Sequence, residues 1–192
     1  MDIILASKSP RRKEILQTMG IDFSVDAVEV DENVQAGTLP QNAVCEISKR
    51  KADAVAQKYN DKDVLVISSD TVVVLDGKII GKPKDKKDAF EILSALSGKT
   101  HTVYTGFTVS CKGKTVSDFE ATQVKFKTLP QEIIKAYIDT GEPMDKAGAY
   151  GIQQKGNLLV EYIHGDFYNV MGLPISKICV TIKGNFGINL LY

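Results

Sequence analysis

Apolar runs of strand length alternate with helix-period stripes along the chain, and no repeat or low-complexity linker separates them. A strand with a buried face and a helix with an apolar stripe must cover each other, so this alternation implies an α/β or α+β architecture around one sheet. Residues 3–6 predict a strand that leads at once into Ser9-Pro10; Ile15, Leu16 and Met19 then fall at helical spacing, and Gly20 closes the helix. Residues 41–59 predict a longer helix with a stripe of Val44, Ile47, Val55 and Tyr59. Residues 64–67 predict a strand that stops at Ser68-Ser69-Asp70, after which 71–75 and 78–80 form a hairpin around Asp76-Gly77. Asp85 caps a helix over 85–96 that Gly98 ends, and 101–111 with 115–127 reads as a long antiparallel hairpin, so the sheet is mixed. A helix over 130–140, a loop-rich stretch over 141–154, a strand over 158–164 and a helix over 174–182 follow.

Composition removes several function classes. Lysine and arginine together number 24, equal to aspartate plus glutamate, so the molecule lacks the electrostatic footprint that gathers nucleic acid or membrane surface. Any anion site must be local. The first residues reach charge by Lys8 and contain neither a signal-peptide apolar stretch nor a transmembrane span, which predicts a cytoplasmic protein. Cys45, Cys111 and Cys179 fit neither a disulfide framework nor a zinc spacing, and read as reduced thiols. His101 and His164 are the only histidines, which argues against zinc and leaves a hard metal on carboxylates open.

The segment Ser7-Lys8-Ser9-Pro10-Arg11-Arg12 sets hydroxyls, backbone donors and two guanidinium groups at the first turn of a helix, where the backbone already favours anions. Ser9 as N-cap and Pro10 at the first helical position would make this only a well-capped helix. Arginine usage points further. The chain has three arginines, Arg11, Arg12 and Arg50, and two stand where a helix dipole disfavours positive charge. A phosphate site explains both the residue type and its position, since arginine offers a planar fork that lysine lacks; the alternative is a solvated surface pair.

Asp70 follows 64–67 at the position where open sheets expose ligand-contacting residues, and its carboxylate suits magnesium or a proton from water; taken alone, it reads as an aspartate in an ordinary turn. Lys51 falls on the apolar stripe of its helix and either snorkels to water or meets a phosphate or carboxylate. Lys82, between Gly81 and Pro83, sits in a constrained loop. Asp31-Glu32, after the strand-like residues 23–30, offers a second acidic group or a solvated pair. Residues 145–153 combine small residues with Tyr150 and Gln153, able to stack on a base and pair with its edge, or else form a glycine-rich turn into a strand. No Walker loop, dinucleotide fingerprint or serine-hydrolase elbow is present. The residues by themselves point to metal-assisted phosphoryl chemistry.

At these positions the chain resembles, almost end to end, the Maf family of nucleoside triphosphate pyrophosphatases, once described as septum-formation inhibitors. The marks are Leu5-Ala6-Ser7-Lys8-Ser9-Pro10-Arg11-Arg12-Lys13-Glu14-Ile15-Leu16, Ser69-Asp70-Thr71-Val72-Val73, Gly81-Lys82-Pro83, Leu96-Ser97-Gly98, residues 145–153 and Gly172-Leu173-Pro174. The resemblance implies one domain over 1–192, an elongated mixed sheet with helices on both sides, two lobes with a cleft, and an inosine triphosphate pyrophosphatase-like fold. It also implies a homodimer and a need for Mg2+ or Mn2+.

By the same resemblance Asp70 is the catalytic proton acceptor, Ser7, Arg12, Lys51 and Lys82 face phosphate, and Asp70 and Glu32 are the acidic positions for metal. Lys51 and Lys82 offset charge as water attacks the α-phosphorus and pyrophosphate leaves. Arg11, Thr71 and Gln153 match the marks of the branch acting on thymidine and uridine triphosphates rather than on methylated guanosine triphosphate. Two departures stand out: Ser69 replaces a small apolar residue, and Gln154 replaces a glycine after Gln153, which alters the late loop if that glycine serves a positive φ. The rival reading is a nucleotide-binding regulator of cell division and septum formation that senses triphosphates without hydrolysing them. The neutral charge fits a nucleic-acid binder poorly.

Overall fold

The computed structural model describes residues 1–59 and 63–190. In chain order its regular elements are β1 (Asp2–Leu5), α1 (Pro10–Thr18), β2 (Ser24–Val25), α2 (Pro40–Ala56), β3 (Val64–Leu75), β4 (Lys78–Ile80), α3 (Lys86–Leu96), β5 (Thr100–Cys111), β6 (Lys114–Phe126), α4 (Gln131–Asp139), β7 (Val160–His164), α5 (Phe167–Met171) and α6 (Ile175–Phe186). The seven strands form one mixed sheet in the order β2-β1-β3-β5-β6-β7, with β4 paired to β3. The chain divides into two compact units, Met1–Asp70 with Thr105–Glu120 and Gly172–Tyr192, and Thr71–Tyr104 with Ala121–Met171.

In the first unit β1 runs parallel to both β2 and β3, with Ile4 opposite Ser24 and Val66. Parallel strands are covered on their faces by helices and read as continuous apolar runs, as Val64 to Ile67 do. Ala52 and Val55 of α2 pack on Ile4, Ala6, Val64 and Val66, and Val28 and Tyr59 lie against that cluster. Full burial of a side chain such as Val55 contributes roughly 1.5–3 kcal/mol. The long apolar stripe of the sequence therefore does place α2 on the sheet. The strand expected over 23–30 is only two residues long: its pairing with β1 ends with the Asp26 amide on Leu5 O at 3.3 Å, and the Asp26 carboxylate accepts from Lys58 Nζ at 2.7 Å and from the Tyr59 hydroxyl at 3.0 Å.

In the second unit β4 folds back antiparallel on β3, pairing Val73 with Ile80 as the Asp-Gly turn predicts, and β6 pairs antiparallel with β7. Asp85 caps α3 by accepting from the Asp88 amide at 2.8 Å. His101, Phe126 and Tyr150 form an edge-to-face aromatic cluster, with His101 Nε2 and the Tyr150 hydroxyl 2.7 Å apart. The short helix α5, which the sequence reading lacks, is tied down by Asn169, whose amide donates to Val103 O and Thr122 Oγ1.

One expectation is overturned in a way that matters for the site. Ser68-Ser69-Asp70 does not end a strand; β3 runs through it for 12 residues, and Asp70 lies mid-strand. A polar run breaks the apolar pattern, but the ladder continues when each polar side chain finds a partner. Ser68 Oγ donates to Ser48 O at 2.6 Å and Ser69 Oγ donates to Gly172 O at 2.9 Å.

Candidate active site

Two carboxylates meet on one ammonium in the first unit. Lys51 Nζ lies 2.7 Å from Asp70 Oδ1 and 2.7 Å from Glu32 Oε1. The Lys51 and Asp70 side chains are only 16% and 14% exposed, so this pair is poorly screened, while Glu32 at 61% opens to solvent. Of the two sequence readings of Lys51, the structure takes the carboxylate contact over snorkelling.

The helix that carries Lys51 is registered on the sheet just before that residue. A Cβ on Gly106 of β5 would lie 2.4 Å from the Val44 carbonyl carbon, so only glycine lets α2 approach so closely. The Ser48 and Thr108 hydroxyls are 2.9 Å apart, and Ser48 O takes the bond from Ser68. Residues two apart on a strand share a face. The contact that seats Ser68 against α2 therefore aims Asp70 at the next turn of the same helix, where Lys51 stands.

Glu32 is presented by a braced loop rather than by a strand end. Asp31 Oδ1 accepts from the Asn33 amide at 2.9 Å and from Asn33 Nδ2 at 2.7 Å, and these bonds, with Arg50 nearby, hold its carboxyl below the usual carboxylate range. Arg50 Nη1 donates to Asp31 O at 2.8 Å and to Asn33 O at 2.7 Å, while Nη2 pairs with Glu46. The third arginine thus grips the carbonyls on either side of Glu32. The sequence reading gave Arg50 no role, although its place beside Lys51 and four residues after Glu46 was visible.

At the start of α1 Ser9 occupies the N-cap position without a side-chain capping bond. Ser7 is the hydroxyl that organises the turn: its Oγ accepts from the Ser9 amide at 3.2 Å and from Arg12 Nη1 at 3.0 Å. Arg12 Nε donates to Gly172 O at 2.9 Å, the same carbonyl that holds Ser69. The unusual serine before Asp70 thus makes a bond that a small apolar residue lacks, and Gly172 is a backbone anchor that sequence reasoning quoted only as a family mark. Burial pulls the Arg12 guanidinium below its ordinary pKa; Asp70 opposes this, the repulsion of Arg11 adds to it, and Glu32 opposes it. Arginine stays charged even so, which leaves a partly desolvated cation near two carboxylates.

Ser7, Arg11, Arg12, Glu32, Lys51 and Asp70 therefore belong to one unit, and Thr71, Lys82 and Gln153 to the other. In that second unit the Gly148 amide donates to Gly81 O at 3.0 Å, joining the loop of Gln153 to the loop of the exposed Lys82. Gly148 has φ +71°, and a Cβ there would meet Val73 Cγ2 at 2.9 Å. Gln154 has a left-handed φ of 51° although it is not glycine. Thr71 directly follows Asp70 in β3.

Among the described residues no group of three or more His, Cys, Asp and Glu side chains is arranged to hold a metal ion. Asp70 and Glu32 supply carboxylate oxygens from two elements onto one point. This donor set fits magnesium, which is bound through one or two carboxylates with substrate phosphates completing its shell.

Comparison with known proteins agrees with the resemblance read from the motifs. The family model described as Maf-like protein matches residues 2–184. A dTTP/UTP pyrophosphatase of Bacillus anthracis is 48% identical over 181 residues, covering 94% of each chain. A dTTP/UTP pyrophosphatase of a Thermoanaerobacter species is 49% identical over 193 residues and covers both chains completely. Among solved structures, a HAM1 protein from Coxiella burnetii superposes with a TM-score of 0.50 at 11% identity, covering 96% of this chain and 99% of that one, a likeness of fold alone. With the family model spanning nearly the whole sequence and almost half of the residues identical to these relatives, this chain belongs to the Maf-like protein family.

Proposed function

We propose that the protein is a nucleoside triphosphate pyrophosphatase that hydrolyses dTTP and UTP, and modified relatives of them, to the monophosphate and pyrophosphate. The observation that carries the reading is the Lys51 ammonium held between Asp70 and Glu32 with Arg12 close by. The whole-length relatives named dTTP/UTP pyrophosphatase support the substrate class. Asp70 takes the proton of a water that attacks the α-phosphorus; the bond from that phosphorus to the α–β bridging oxygen breaks, and pyrophosphate departs. Ser7 and Arg12 orient the phosphates at the start of α1, and Lys51 and Lys82 offset charge growing on the oxygens. Arg11, Thr71 and Gln153 select the pyrimidine base.

Asp70 and Glu32 would hold Mg2+ or Mn2+, which supplies neutralisation of phosphate charge. The charge balance of the site residues in the first unit supports that need. Arg11, Arg12 and Lys51 against Asp70 and Glu32 leave one net positive charge, well short of a triphosphate. The proposal includes a homodimer, which sedimentation tests, and a cytoplasmic place. Free Cys45, Cys111 and Cys179 support that place.

The experiment is product analysis with purified protein, dTTP or UTP, and magnesium. Pyrophosphate with the monophosphate is expected, and chelation should abolish its release. Orthophosphate as the first product rejects the reaction, and binding without turnover of any triphosphate returns the regulator reading.

A further inference from the structure

The loop that carries Gln153 is closed at its neck by two side chains outside it. The Gly151 amide donates to the Tyr137 hydroxyl at 3.1 Å, and that hydroxyl donates to Glu142 Oε1 at 3.2 Å. The same Oε1 accepts from the Gly156 amide at 3.2 Å. One tyrosine and one carboxylate thus tie residue 151 to residue 156. The strands of the neck touch: a Cβ on Gly156 would lie 1.9 Å from Gly151 O, so only glycine closes the loop this tightly.

Between the tied ends lie Gln153 and Gln154, the latter with its left-handed φ of 51°. Such backbone is unfavourable for a residue with a side chain and persists where surrounding structure over-determines it. Tyr137 is buried within α4, and its burial pushes the hydroxyl well above the ordinary tyrosine range, so it remains a donor across the working pH. Lys146 closes the outer side, donating to Glu142 O and Asp145 Oδ1, with its Cε 2.8 Å from where a Gly151 Cβ would stand. Neither Tyr137 nor Glu142 has a role in the proposed chemistry.

We infer that Tyr137 and Glu142 are positioning residues that set base preference by clamping the 151–156 loop so that Gln153 is presented in one conformation. The inference rests on the proposed function, in which Gln153 pairs with the pyrimidine. A site that discriminates by hydrogen bonding depends on where its donors and acceptors are held, so a loosened loop loses selectivity before it loses chemistry.

The test combines kinetics with amide exchange in Tyr137→Phe, Glu142→Ala and Glu142→Gln. Tyr137→Phe keeps the ring and removes the hydroxyl, which limits damage to the fold. In it and in Glu142→Ala the exchange of the Gly151 and Gly156 amides should accelerate at least ~10-fold. The ratio of kcat/KM for dTTP over GTP should fall ~5-fold or more, through a raised KM for dTTP with kcat within ~3-fold. Glu142→Gln, whose amide oxygen accepts both bonds, should restore selectivity and slow exchange. Unchanged exchange overturns the clamp, and faster exchange with unchanged selectivity overturns its role in base choice. If wild-type protein releases no pyrophosphate from any triphosphate, the proposed function fails separately. Selectivity is then read as affinity for dTTP over GTP in the same variants, and a ratio they do not move overturns the inference.

Discussion

Lys51 of α2 and Asp70 of β3 form a 2.7 Å ion pair with both side chains about 15% exposed, and Glu32 meets the same ammonium from outside. A carboxylate so placed has a fixed direction and a charge partner, but its second oxygen, Oδ2, takes no part in that bond. Asp70→Asn keeps an oxygen that accepts from Lys51, so the fold should survive. Turnover should fall at least ~100-fold, as removal of a general base commonly gives. Thermal melting beside steady-state rates checks both halves, and a folded variant at near-normal rate rejects Asp70 as proton acceptor.

Arg12 spends one bond on Ser7 and one on Gly172 O, which orients its fork. Arg12→Ala should reduce kcat/KM by about 10- to 100-fold, the loss of ~1.5–3 kcal/mol from a charge-assisted contact. The factor should be similar for dTTP, UTP and GTP, because phosphate is common to all. A loss confined to one base contradicts a phosphate role.

Arg50 should matter to activity more than to stability. Its bonds to Asp31 O and Asn33 O lie at the surface, and exposed pairs contribute ~1 kcal/mol or less. Releasing the Glu32 loop should still lower activity about 10-fold, since small misplacement of a functional group is costly. Arg50→Lys should not restore activity, because one ammonium lacks the fork that spans two carbonyls. Full activity in Arg50→Ala would show that Glu32 needs no brace.

His101 makes stability fall with acid. Burial pulls its imidazole down to about 4 from an ordinary 6.5, and among the described residues Nδ1 is buried without a hydrogen-bond partner. Above pH 6.5 both folded and unfolded forms are neutral there, so nothing is lost. As pH falls from 6.5 towards 4, the unfolded chain binds a proton that the folded one refuses, and stability drops by up to about 3 kcal/mol. Chemical unfolding at pH 7 and pH 4.5 should show wild type losing ~2–3 kcal/mol more than His101→Asn, which cannot titrate. Equal losses contradict the assignment.

The legible parts of the fold were those in which local pattern and tertiary role coincide. The α2 stripe is written in its own periodicity, the Asp-Gly hairpin and the Asp85 cap are satisfied by near neighbours in sequence, and each stands as read. Lys51 on the stripe, and two arginines at a helix start in a chain rich in lysine, were visible because residue type contradicted position. Ser68-Ser69-Asp70 misled because its partners are distant: Ser48 lies 20 residues before Ser68, and Gly172 lies 103 residues after Ser69. Arg12 and its Gly172 anchor are 160 residues apart. The contact of Arg50 with backbone carbonyls leaves no mark on residue type at positions 31 and 33. Periodicity reports which face is apolar, and says nothing of which buried hydroxyl or carbonyl waits on the facing element.

The most direct measurement of the central claim is the fate of solvent oxygen. Hydrolysis of dTTP by the wild-type protein in water enriched in oxygen-18, with magnesium present, should place the heavy atom in the nucleoside monophosphate and leave pyrophosphate unlabelled. That is the outcome of water attacking the α-phosphorus with Asp70 taking its proton. Label in the pyrophosphate would mean attack at the β-phosphorus and would contradict the account.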